Sequence, residues 1–147
     1  MIKINKLYSL IVILFFGCTS KEINYTEKVV SLLYANNINV EDYSFIAIIP
    51  EIGCNGCISE AEHFFKENLK KDILFIFTKI QSKKEMELRL GKLLNRKNVI
   101  IDLEQTYASE KEEINIYPII MDIRAKDKYE WRFLEPGISY IDVMNQF

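Results

Sequence analysis

The sequence predicts an α/β domain, and three observations carry that prediction. Tyr43-Ser44-Phe45-Ile46-Ala47-Ile48-Ile49 and Asp72-Ile73-Leu74-Phe75-Ile76-Phe77-Thr78 are short, almost continuously apolar runs, the pattern of strands buried on both faces. Between them Ile58, Ala61, Phe65 and Leu69 recur at three- and four-residue spacing, with Phe64 alongside, as on an amphipathic helix. Near the C-terminus, Ile119 to Ile123 and Tyr129 to Leu134 flank the charged turn Arg124 to Lys128, which predicts a hairpin.

The remaining elements follow in chain order. Thr26 is placed to cap a helix from Glu27 to about Asn36, with Val29, Val30, Leu32 and Leu33 as its apolar side. On the central helix Glu60, His63, Glu67 and Lys70 fall opposite the apolar stripe, so His63 is expected in solvent. Met86, Leu90, Leu93 and Leu94 form a stripe that predicts a helix from Lys83 to Asn95. Asn98 to Leu103 reads as a third strand, and the polar stretch Glu104 to Glu113 as a short helix or irregular turn. Tyr117-Pro118 opens the hairpin, Pro136-Gly137 ends it, and Ile138, Ile141 and Val143 or Met144 space a closing helix.

Composition narrows the function. A chain of 147 residues suits one compact domain. With 5 Gly, 3 Pro and 12% aromatics it is neither disordered nor collagen-like, and no internal repeat of solenoid length is visible. Nineteen Lys and Arg against 21 Asp and Glu leave a net charge of −2 with no dense basic stripe, so no nucleic-acid partner is expected.

The N-terminus has the layout of a bacterial secretion signal. Lys3 and Lys6 precede the ten-residue run Leu7 to Phe16, shorter than the roughly 17–25 apolar residues a membrane span needs. Phe15-Phe16-Gly17-Cys18 resembles a lipobox, in which a small residue precedes the cysteine that is lipidated after cleavage; the two phenylalanines depart from its usual residues. The expectation is a signal peptide at 1–17, lipidation of Cys18, a tether at 18–25 and a folded domain at 26–147. A membrane partner through a lipid on Cys18 and a place in the bacterial cell envelope, facing the periplasm, go with it. The alternatives are an uncleaved anchor, or an ordinary buried thiol after a different cut.

Cys54 and Cys57 lie in Pro50-Glu51-Ile52-Gly53-Cys54-Asn55-Gly56-Cys57, between the first apolar strand and the helix. A bare C-x-x-C serves zinc sites, haem attachment and redox exchange alike. There is no second C-x-x-C and His63 is the one histidine, so a four-ligand zinc site lacks donors. Haem attachment needs His directly after the second cysteine, where Ile58 stands. No metal and no cofactor are therefore expected. A thiolate at a helix start is stabilised by unpaired N–H groups, which makes Cys54 the expected nucleophile. Cys57, one turn further on, is the expected resolving thiol. The bland alternative is a structural disulfide without turnover.

Together these elements resemble the thioredoxin family: a buried strand running into C-x-x-C at a helix start, then Ile114 to Pro118 leading into a strand hairpin, Gly137, and a terminal helix. The extra helix and strand between Thr78 and Ile114 are similar to membrane-anchored proteins of the TlpA and ResA type. The resemblance implies a thioredoxin-like fold over roughly Tyr43 to Phe147, a central mixed sheet flanked by helices with an α–β insertion before a cis-Pro hairpin. It also implies a cis bond at Tyr117-Pro118, with Tyr117 and Pro118 lining a groove in which an extended client segment pairs. The chain departs from the family in three places: Gly53 stands where Trp is usual, Asn55-Gly56 separates the cysteines, and no acid lies between Phe45 and Pro50. Glu51, three before Cys54, replaces the Thr of a peroxiredoxin motif.

The activity implied is thiol–disulfide exchange on exported protein thiols or disulfides, with a second partner that resets the Cys54/Cys57 pair. The competing class is a non-catalytic lipoprotein that keeps the scaffold to bind a peptide or protein.

Overall fold

A computed structural model describes residues 24–69, 72–126 and 128–147. The signal, the lipobox and Cys18 lie outside the described residues. Tyr25, expected at the end of the tether, is instead the first residue of helix α1 (Tyr25–Ala35).

The two apolar runs become β1 (Phe45–Pro50) and β2 (Ile73–Thr78), every residue of each buried. They pair in parallel, with Phe45 opposite Ile73 and Pro50 opposite Thr78. Strand β3 (Val99–Ile101) joins β2 in parallel at one edge. On the other side β4 (Ile119–Asp122) runs antiparallel to β1, and β5 (Glu130–Phe133) antiparallel to β4. The order is β3-β2-β1-β4-β5, a mixed sheet of five strands.

Alternation along the strands divides the core. Ile46, Ile48, Leu74 and Ile76 point to one face, where α1 covers them with Val29, Val30 and Leu33. Phe45, Ala47, Ile49, Phe75 and Phe77 point to the other. There they meet α2 (Asn55–Asn68), α3 (Lys83–Leu90) and α4 (Tyr140–Met144) through Phe64, Phe65, Met86, Tyr140 and Val143. Phe64 stacks on Tyr140 with ring centroids 4.3 Å apart, fixing α4 against α2.

Several element boundaries differ from expectation for local reasons. Asn24, not Thr26, caps α1: its side chain accepts from the Thr26 N–H. The stripe from Lys83 to Asn95 is broken at Gly91, which adopts φ 55°, and continues as a 3-10 turn over Gly91–Asn95. Of the two readings of Glu104 to Glu113 the irregular turn is the one found: the buried Asp102 carboxylate holds it as a loop by accepting from Thr106 N and Tyr107 N. A 3-10 turn, Glu112–Ile116, follows. The closing helix starts only at Tyr140, capped by Ser139, and buries Tyr140 and Val143, leaving the expected stripe residues Ile138 and Ile141 exposed.

The cis bond expected at Tyr117-Pro118 is corrected: no described peptide bond is cis. Tyr117 leaves the 3-10 turn extended, at φ −108° and ψ 147°, the conformation that suits a residue before proline, and passes into β4 by a trans bond. Pro118 starts the strand, where its missing N–H costs no ladder bond, and its carbonyl accepts from Leu134 N at 2.8 Å.

Candidate functional site

Cys54 and Cys57 are joined by a disulfide, with Cα atoms 5.3 Å apart. The local sequence explains their placement. Strand β1 is fully buried and ends at Pro50, so the chain emerges at the sheet's rim and turns through Glu51-Ile52-Gly53 into α2. Cys54 is the N-cap of α2, in extended conformation, and its sulfur accepts from Cys57 N at 3.4 Å. A sulfur in that position receives a free N–H and sits at the positive end of a 14-residue helix. Exposure separates the two thiols: Cys54 is half-buried and Cys57 is 1% exposed.

Gly53 is the point of closest approach. Its φ is 149°, and a Cβ there would lie 2.1 Å from the Ile116 carbonyl oxygen. The same carbonyl accepts from Cys54 N at 3.0 Å. Glycine is therefore required where the resembling family carries Trp, since a backbone segment occupies the side chain's space. Gly56, in contrast, has open space around it.

The segment that ends at Ile116 is itself anchored. Asn115, buried, accepts from Ser109 N at 2.8 Å and donates to Ser109 O at 2.7 Å. Lys79, just past β2, pairs with Glu112 at its start. Tyr117 does not turn toward the cysteines through a cis step; its ring packs edge-on against Phe133, centroids 5.7 Å apart. The client groove expected at Tyr117 and Pro118 loses its basis, because it depended on a cis turn presenting this backbone, and the Ile116 carbonyl is already bonded to Cys54.

Glu51, the acid nearest the pair in sequence, is committed elsewhere. Its side chain is 8% exposed and its carboxylate accepts from Gln81 N at 2.6 Å, Ser82 N at 3.3 Å and Arg89 at 3.1 Å. Arg89 also reaches Glu62 of α2 at 3.1 Å. Burial alone would lower the Arg89 pKa, but hydrogen bonds to the two carboxylates raise it, so the guanidinium stays charged. The arrangement ties the cysteine loop to α3 and α2, and sequence spacing gave no sign of it. His63 is exposed and lies 3.3 Å from Glu67 on the outer side of α2. Among the described residues no group of three or more His, Cys, Asp or Glu is placed to hold a metal ion.

Comparison with known proteins adds no relative: no family model, curated protein or solved structure matches the chain. What the residues define is an α/β domain with a mixed five-stranded sheet and a C-x-x-C disulfide at the start of a helix.

Proposed function

We propose that this chain is a thioredoxin-like thiol–disulfide oxidoreductase, exported and held to the cell envelope by a lipid on Cys18. The observation that carries the reading is the asymmetry of the pair: a half-exposed Cys54 capping α2, and a buried Cys57 one turn behind it. In the reduced protein the Cys54 thiolate attacks a client disulfide. A Cys54–client disulfide forms and one client thiolate leaves. The Cys57 thiolate then attacks the Cys54 sulfur, forming the observed bond and releasing the second client thiolate. An external dithiol partner returns the pair to the reduced state. Run backwards, the same steps oxidise a client dithiol.

The signal-like N-terminus supports export and anchoring, and among the described residues no helix is long and apolar enough to cross a membrane. A second reading, a scaffold that binds a partner without turnover, is favoured by two observations. Strand β1 carries no acid to move the Cys57 proton, and Glu51 is locked in its clamp.

Insulin disulfide reduction, with a dithiol as electron source, separates the readings. Turnover abolished by Cys54→Ser is expected, with Cys57→Ser accumulating a mixed disulfide through Cys54. Equal rates for wild type and Cys54→Ser would leave the binding scaffold.

A further inference from the structure

Among the described residues strand β5 is the last strand of the sheet, and its outer edge has a register of its own. Leu134 N donates to Pro118 O, and antiparallel ladders alternate, so the even-numbered residues of β5 bond to β4. On the other side of β4, Ile123 N donates to Ser44 O, which assigns its odd-numbered residues to β1 in agreement. The N–H and C=O groups of Trp131 and Phe133 therefore point away from β4, along the open edge.

The side chains on this edge alternate in chemistry. Trp131 and Phe133 lie on one face, their rings edge-on at 5.0 Å, while Glu130 and Arg132 lie on the other. The edge is not blunted by a proline or a bulge within the strand. A groove of about 390 Å³ runs along it, lined by Trp131, Phe133 and Ile138 and by the polar Arg132, Glu135 and Gln146. Ile138, just before the Ser139 cap of α4, is 36% exposed there.

We propose that two copies of the chain pair antiparallel through β5, with Trp131 on the two-fold axis, to form one continuous ten-stranded sheet. Only some registers satisfy the edge. Placing Trp131 opposite its own copy sets one outward-bonding residue against another and puts Tyr129 opposite Phe133. The same register places Glu130 opposite Arg132 twice, once on each side of the axis. Within one copy Glu130 already pairs with Lys128, and Arg132 lies over the Phe147 ring and donates to the Gln146 carbonyl, so the dimer adds an opposite charge to each on one face while aromatic rings meet on the other. The two-fold is perpendicular to the sheet, so both α4 helices lie on the same side. An isologous contact of this kind closes after two copies.

Charge reversal tests the register, with the full chain in detergent and its mass measured by sedimentation. Wild type is expected to be a dimer. Glu130→Arg sets Arg against Arg, and Arg132→Glu sets Glu against Glu, so each variant alone is expected to be monomeric. Mixed one to one, the two variants restore both attractive pairs and are expected to form a heterodimer. Hydrogen exchange supplies the second measurement: protection of the Trp131 and Phe133 amides should rise about tenfold from monomer to dimer concentrations. A monomeric wild type, such as an edge reserved for an extended client segment would give, overturns the proposal. So does a dimer that survives either single reversal, or one in which these two amides stay unprotected.

Discussion

Two loops meet at Gly53, the one that carries the cysteines and the one that runs from Glu112 to Pro118, and they are held in different ways. The turn of the first is set by rules acting over a few residues: a buried strand ends, a cap residue turns the chain, and a helix begins with its free N–H groups around a sulfur, with the Glu51 clamp to α3 as its one distant tie through a side chain. The second is set by distant partners, Ser109 through Asn115, Lys79 through Glu112, Cys54 through the Ile116 carbonyl and Phe133 through Tyr117. The difference teaches where a site of this type is specified. The place of the two sulfurs follows from the cysteine loop and the helix it opens, whereas the backbone that lies against Gly53 and accepts from the Cys54 N–H comes from a segment some 60 residues away.

The contact between the loops offers the sharpest way to break this comparison. Gly53→Ala places a methyl 2.1 Å from the Ile116 oxygen and forces a non-glycine residue to φ 149°, and neither partner is a flexible side chain that can move aside. A loss of about 2–5 kcal/mol is expected from the overlap and the backbone strain together, read by urea unfolding of the oxidised protein. A loss below about 0.5 kcal/mol would mean that the Asn115–Pro118 segment gives way easily and does not define the site.

Next in size is the clamp behind the cysteine loop. Glu51→Ala leaves two backbone N–H groups without their acceptor and Arg89 with Glu62 alone, at a cost of about 1–3 kcal/mol. Glu51→Gln keeps an oxygen for Gln81 N and Ser82 N and is expected to recover a good part of that. If both variants alter Cys54 alkylation while stability is unchanged, Glu51 acts on the thiol directly and the division between the loops fails.

How much of this was legible in the sequence follows the same division. Strands β1 and β2, the helix that starts at the cysteines, the buried Cys57 and the exposed His63 all rest on periodicity or on contacts within one helical turn. The Tyr117-Pro118 step was read through a family resemblance, and its trans geometry reflects how the 3-10 turn before it is anchored, which no local pattern encodes. The α4 stripe failed for a related reason. Ile138 and Ile141 have the right spacing, but α4 is turned by the stacking of Tyr140 on Phe64, a partner on another helix. Gly53 was visible as a departure from the family, yet its cause is a carbonyl that sequence spacing could not place beside it.

The opposing loop yields a smaller effect. Pro118→Ala keeps the trans, extended entry into β4 and removes no hydrogen bond, so a loss of about 0.4–1 kcal/mol is expected from the freer unfolded chain. Insulin turnover should stay within twofold of wild type, because the prolyl ring is buried at a strand start and presents no groove to a client. A collapse of turnover with stability preserved would restore a client-binding role to this position.

The smallest effect is expected between the cysteines. Gly56 lies in the first turn of α2, where nothing stands within 4 Å of an added methyl and φ is not in the left-handed region. Alanine restricts the unfolded chain and suits the helix, so Gly56→Ala is expected to stabilise the oxidised protein by about 0.5–1 kcal/mol. The comparison with Gly53 is then between two glycines three residues apart, one held by an opposing backbone and one by nothing. Alkylation of the reduced protein completes the measurement. Cys54 should be labelled first in both wild type and Gly56→Ala, with an apparent pKa below the ~8.5 of a free thiol, since the added methyl leaves the capping N–H of Cys57 in place. Faster labelling of Cys57 in either protein would reverse the roles of the two thiols and detach reactivity from the helix start.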